Sequence, residues 1–171
     1  MGERSAFYIA NARWSMYKKY SFFFLAASVL GLGKARFAPG TAASLFAGVP
    51  CFLAVGYSSW VFQLYVAAFL FAFGCWVSGK REQELGKTDP GEVVIDELCG
   101  FLIAMIGHPV SFASILAGFA FFRLFDIWKP WPLRDFQEKL GGGLAIMADD
   151  VGAGVYANVL GIIVLSLLNT W

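Results

Sequence analysis

Histidine and cysteine are scarce in this 171-residue chain, with one histidine, His108, and three cysteines. Cys51, Cys75 and Cys99 stand apart among apolar residues, and no pair has metal-ligand or redox spacing. They read as small core residues with no disulfide implied. His108 stands alone beside Pro109, so it reads as structural or interfacial rather than as a proton relay. Charge is also sparse, at 15% of residues, where about 25% is usual for a soluble globular chain. A net charge of +1 with no basic tail offers nucleic acid no field to bind, which excludes that class of partner.

The largest deficit is local. The 13 Lys and Arg and 12 Asp and Glu fall into three blocks, 3–36, 80–97 and 123–150. Residues 41–79, 98–122 and 151–171 carry no formal charge. A soluble helix needs a polar face every few residues, and these tracts have none. The expectation is an all-α, polytopic membrane helical bundle of one domain, 1–171, with short or re-entrant helices.

Residues 1–20 mix Arg and Lys with Phe, Tyr and Trp, as suits an interfacial helix. Residues 21–33 are apolar but too short to span, since about 20 residues are needed, so they should be re-entrant or tucked against the bundle. No small-residue cleavage site follows them, and Lys34 and Arg36 come instead, so a cleaved leader is not expected. Pro39 and Gly40 should interrupt helix, with Thr41 as cap of the next one. Residues 42–79 suit a hairpin broken near 56–59. Asp89-Pro90-Gly91-Glu92 looks like a helix start, with Asp89 as cap and Glu92 as the capping-box acid. That helix should end before His108-Pro109, Ser111 should cap the next, and Pro130 and Pro132 should end it; the alternative, a single crossing by residues 98–122, would put Asp126 opposite Asp96. Residues 134–140 read as a short amphipathic piece, and a last helix should begin near Leu144. Along it Asp150, Ala153, Gly154 and Ala157 form a stripe of mostly small residues that lets another helix come close. Lysine and arginine favour the cytoplasmic side, and all three charged blocks contain them, so the blocks are placed there together.

Acids stand where charged blocks meet apolar tracts. Asp96-Glu97, Asp126 and Asp149-Asp150 each occupy such a boundary, a costly position that suggests function. Gathered together, five carboxylates would repel strongly without a cation. Oxygen ligands with no His or Cys nearby select magnesium or a similar ion, which commonly takes substrate phosphate oxygens as further ligands. Arg123 and Lys129 flank Asp126 and could hold a phosphate's charge, as could backbone N–H groups at Gly40 and Thr41. An Arg123–Asp126 pair with the other acids facing water is the bland alternative. Gly33-Lys34 lacks the glycine spacing and the following Ser or Thr of a P-loop.

Four stretches, APGTAASL (38–45), VVIDELCG (93–100), FRLFDIWKPWPLR (122–134) and GGGLAIMADDVGAG (141–154), together resemble the phosphatidylglycerophosphatase A family. Ala43 and Ala145 stand where the family usually has glycine. The resemblance implies a bacterial inner-membrane, magnesium-dependent phosphatase with its active site facing the cytoplasm. It would remove the terminal phosphate of phosphatidylglycerophosphate to give phosphatidylglycerol. On that reading Asp96, Asp149 and Asp150 bind Mg2+, with Glu97 or Asp126 as further ligand or general base, while Arg123, Lys129, Gly40 and Thr41 hold the phosphate. The rivals are a phosphatase or phosphotransferase for another phospholipid, and a small ion or proton carrier. The carrier would need carboxylates deep inside the apolar tracts, and these lie at tract ends.

Overall fold

The computed structural model describes residues 21–134 and 139–168, so the interfacial reading of 1–20 and most of the 134–140 piece lie outside the described residues. No strand occurs among the described residues. The chain opens with α1 (Phe22–Ala27), capped by Ser21, whose Oγ accepts from the Phe24 N–H at 3.0 Å. Phe22 and Phe23 pack on Trp76 with ring centroids 6.2 and 5.5 Å away. The short apolar stretch is therefore tucked against the bundle, as its length requires. A 3₁₀ turn, Leu32–Lys34, leads out of it.

Helix α2 (Pro39–Val55) begins at Pro39 and contains a π-helical turn at Ser44–Gly48. Thr41 is thus inside the first turn and does not cap it. Proline fits the first helical position because the N–H it lacks would have had no partner there. The cap is Ala38, held at φ 44° without a side-chain bond. The chain turns at 56–59, where Ser59 caps α3 (Trp60–Leu85). Gln63 locks this turn to the next one. Its Nε2 donates to the Gly56 and Ser58 carbonyls at 3.2 and 3.1 Å, and its Oε1 accepts from the Gly107 N–H at 2.9 Å.

Helix α4 (Ile95–Ala104) starts five residues later than the Asp-Pro-Gly-Glu signal suggests. Glu92 does not close a capping box, because the buried Arg81 takes its carboxylate at 2.7 Å. A buried guanidinium without a carboxylate costs far more than a missing cap, so the ion pair wins. Asp96 and Glu97 consequently fall in the first turn of α4 rather than the second. The break at 105–111 is present, and Ser111 caps α5 (Phe112–Trp128) through the Ser114 N–H at 3.1 Å. In that turn His108 is buried against Gly161, and Asn158 Nδ2 donates to the Ala104 and Ile106 carbonyls at 3.1 and 2.8 Å. Residues 98–122 therefore form a bent pair, which returns Asp126 to the end of the bundle that holds Asp96.

The last helix, α6 (Gly142–Leu167), starts two residues before Leu144, which sets Asp149 and Asp150 more than a turn inside it. The small-residue stripe brings α6 onto α4: a β-carbon at Gly154 would overlap the Gly100 carbonyl oxygen. Gly154→Ala is therefore expected to lower stability by about 1–3 kcal/mol, read from thermal unfolding in detergent. An unchanged midpoint would show that the two backbones have room to part. Around this contact Phe101, Met105, Phe122, Ala153 and Ala157 form a buried core, with Phe101 and Phe122 edge to face at 6.4 Å. Helices α3 and α6, each of 26 residues, are long and apolar enough to cross a membrane.

Candidate metal and phosphate site

One cavity of about 310 Å³ lies where the first turns of α2 and α4 meet the end of α5 and the entry of α6. Its walls include Asp96, Glu97, Asp126, Asp149 and Asp150, and also Arg123, Lys129 and Gly40. Thus every acid and base singled out in the sequence reaches the same space, although they lie on three helices and the residue after one. Thr41 does not line it; Ala38, Pro39 and Gly40 do. Gly40 is there for a steric reason, since a β-carbon would overlap Glu97 Oε1. The N–H groups of Gly40 and Thr41, in the first turn, have no intrahelical acceptor.

Asp96, Glu97 and Asp150 form a tighter group, with one ligand oxygen from each lying within 4.8 Å of the others. Asp96 Oδ1 and Glu97 Oε2 are buried and accept no hydrogen bond in the structure. Buried carboxylate oxygens without partners are expensive. Burial pushes the carboxyl of Asp96 well above its usual range, and the charges of Glu97, Asp150 and Asp149 push it further. Burial also raises Glu97, though its hydrogen bond with Asp96 works the other way. An all-oxygen, anionic donor set with orphaned atoms fits a hard divalent cation, and these residues accordingly suit magnesium.

The other two acids are engaged with bases. Lys129 Nζ donates to Asp149 Oδ2. Burial alone would lower the Lys129 ammonium, but the Asp149 bond and the charges of Asp149, Asp150 and Asp126 hold it above its usual value. Arg123 Nη1 lies 2.7 Å from Asp126 Oδ2. Its N–H is not aimed at any acceptor, so this is a charge contact rather than a directed hydrogen bond. The bland reading of an Arg123–Asp126 pair is correct for that contact, but the remaining acids do not simply face water, because Asp149 and Asp150 are each 4% exposed.

Three further features have little local signal in the sequence. Asp89 lines the cavity instead of capping a helix, and Val93 and Ile146 form its apolar wall. Ala38, Asp89 and Lys129 all line it with φ between 43° and 46°. Left-handed backbone in residues other than glycine costs on the order of 1 kcal/mol or more and concentrates at functional sites. At Lys129 it ends α5 and turns the side chain to Asp149.

A family model described as phosphatidylglycerophosphatase A matches residues 25–165. The phosphatidylglycerophosphatase A of Haemophilus influenzae is 38% identical over 142 residues, covering 82% of this chain and 85% of that one. That of Escherichia coli strain K12 is 34% identical over 126 residues, covering 73% of each. A Bacteroides thetaiotaomicron protein provisionally named as a phosphatidylinositol-3-phosphatase is 38% identical over 138 residues, covering 76% of this chain and 85% of that one. No solved structure matches. With four motifs in order, their acids and bases in one cavity, and these matches over most of its length, the chain belongs to the phosphatidylglycerophosphatase A family.

Proposed function

We propose that this lipid phosphatase hydrolyses the terminal phosphate monoester of phosphatidylglycerophosphate, with Mg2+ held by Asp96, Glu97 and Asp150. The observation that carries the reading is the convergence of three carboxylates within 4.8 Å, two of them with orphaned buried oxygens, beside two cationic side chains. The names of the Haemophilus and Escherichia relatives supply the substrate. The protein works as a multi-pass protein of the bacterial inner membrane, anchored by α3 and α6, with the cavity at the cytoplasmic surface. There a headgroup can enter while acyl chains stay in the bilayer.

Asp96, Glu97 and Asp150 would hold the cation, which when bound would supply Lewis-acid polarisation of the phosphoryl group. Lys129, Arg123 and the amide of Gly40, which line the cavity, stabilise the charge that spreads over the phosphoryl oxygens in the transition state. Asp149 fixes Lys129 by their hydrogen bond. Asp126 stands outside the tight trio and next to Arg123, so it is the acid left to take the proton of the attacking water. As the phosphorus–oxygen bond to the glycerol breaks, the same carboxyl can return that proton to the leaving oxygen.

Lys129→Met is expected to lower kcat/KM roughly 100-fold, the usual effect of removing one donor to a developing oxyanion. Steady-state phosphate release in mixed micelles checks it, and wild-type kinetics would remove Lys129 from the site. The Bacteroides relative's name favours a second reading, a 3-phosphoinositide as substrate. Phosphate release from phosphatidylglycerophosphate and from phosphatidylinositol 3-phosphate, compared at equal surface concentration, separates the two. We expect the first to turn over at least ~10-fold faster, a margin of about 1.4 kcal/mol; the reverse order would establish the second.

A further inference from the structure

We propose that Arg81, outside the cavity, is a positioning residue for the cation site: through Glu92 it fixes the entry of α4 and thereby the placement of Asp96 and Glu97. This rests on the reading of the acidic trio as a cation site. Arg81 is 2% exposed in the last turns of α3. Its Nε donates to Glu92 Oε1 at 2.7 Å and its Nη1 to Glu84 Oε2 at 2.8 Å, and its guanidinium lies 5.2 Å from the Phe24 ring centre. Ser21 Oγ donates to the same Glu84 oxygen at 2.7 Å, which ties α1 into the arrangement.

Helix α4 needs such a device. Its cap is Val94, which has no side-chain oxygen to give the first turn, and the two acids that matter lie in that turn. A helix end whose first N–H groups lack a cap frays, and a ligand set tolerates little displacement. The segment before it is instead pinned from outside. Glu92 is held by Arg81, and its carbonyl oxygen sits where Gly33 has no β-carbon. Two residues on, the Val94 N–H donates to the Ala27 carbonyl at 2.9 Å. A guanidinium fork fixes direction as well as distance, so the clamp sets where α4 begins. The same segment delivers Asp89 to the cavity wall.

The test is Mn2+ binding to the full chain in detergent, followed by electron paramagnetic resonance, alongside thermal unfolding. Glu92→Gln keeps the side chain's size but weakens its grip on Arg81. We expect its Mn2+ dissociation constant to rise roughly 10–100-fold, the range for groups that orient metal ligands, in protein that is still folded at the assay temperature. If Glu92→Gln does not fold, Arg81→Lys keeps the charge without the fork, and the same rise is expected. A lowered unfolding midpoint with unchanged Mn2+ affinity would make the clamp purely structural and overturn the inference. Absence of saturable Mn2+ binding in the wild type would overturn the cation reading itself, and is seen before any variant is made.

Discussion

Asp150→Asn is expected to reduce phosphate release at least ~1,000-fold while raising the thermal stability of the metal-free protein. Both signs come from one geometry. Asp150 is 4% exposed and closes the trio with Asp96 and Glu97, with Asp126 and Asp149 also close by. Asparagine has nearly the same shape, so α6 keeps its packing, but on the proposed reading the cation would lose one anionic ligand and with it several kcal/mol of transition-state stabilisation. Without metal, the same change removes a buried charge among like charges, which relieves repulsion. Asp96→Asn should behave alike. Assays with and without magnesium, paired with thermal scans in detergent, measure both effects. A variant that loses activity because it is misfolded would show the opposite change in stability.

Removing divalent cations is expected to abolish turnover by wild-type protein and to lower its unfolding temperature. A cation present at about 100 times its dissociation constant adds roughly 2.7 kcal/mol to the folded state. For a chain of this size that corresponds to roughly 5–10 °C. The increment should grow with pH. Burial and neighbouring charges raise Asp96 and Glu97 above their unfolded-state values, so the folded metal-free chain binds more protons than the unfolded one over the interval between. Stability then falls as pH rises through that interval. A cation needs the ionised forms, so its binding opposes the fall and releases protons. Melting curves from about pH 4, where unfolded carboxyls titrate, upward to about pH 8, with magnesium and with chelator, read this directly. Equal midpoints with and without magnesium at every pH would mean that the trio binds no cation.

The parts of this arrangement that sequence reveals are those governed by cost. Charges beside hydrocarbon are expensive wherever the chain goes, so the five acids, Arg123 and Lys129 stand out before any fold is known, and all seven line the cavity. Prolines and polar breaks forbid continuous helix, which exposes the turns at 56–59 and 105–111. What stays hidden depends on partners far along the chain. Arg81 stands in sequence only as one of the charges that open the block at 80–97, yet it is buried because Glu84 and Glu92 come to meet it. That meeting takes Glu92 from the capping box its local pattern suggests and moves the start of α4 to Ile95. Likewise, nothing in the residue types Ala38, Asp89 or Lys129 announces left-handed backbone. Surrounding contacts impose it, and Asp89's place in the cavity follows from that. Thr41 illustrates the converse error, a good capping residue bypassed because Pro39 already suits the first position.

The most direct measurement of whether distant acids assemble one cation site is Mn2+ titration of the purified full chain, wild type against Asp150→Asn, followed by electron paramagnetic resonance and competed with Mg2+. Saturable binding that magnesium displaces in the wild type, and that Asp150→Asn weakens at least ~100-fold (about 2.7 kcal/mol), is the predicted result. Equal binding by both proteins, or none by the wild type, would contradict it.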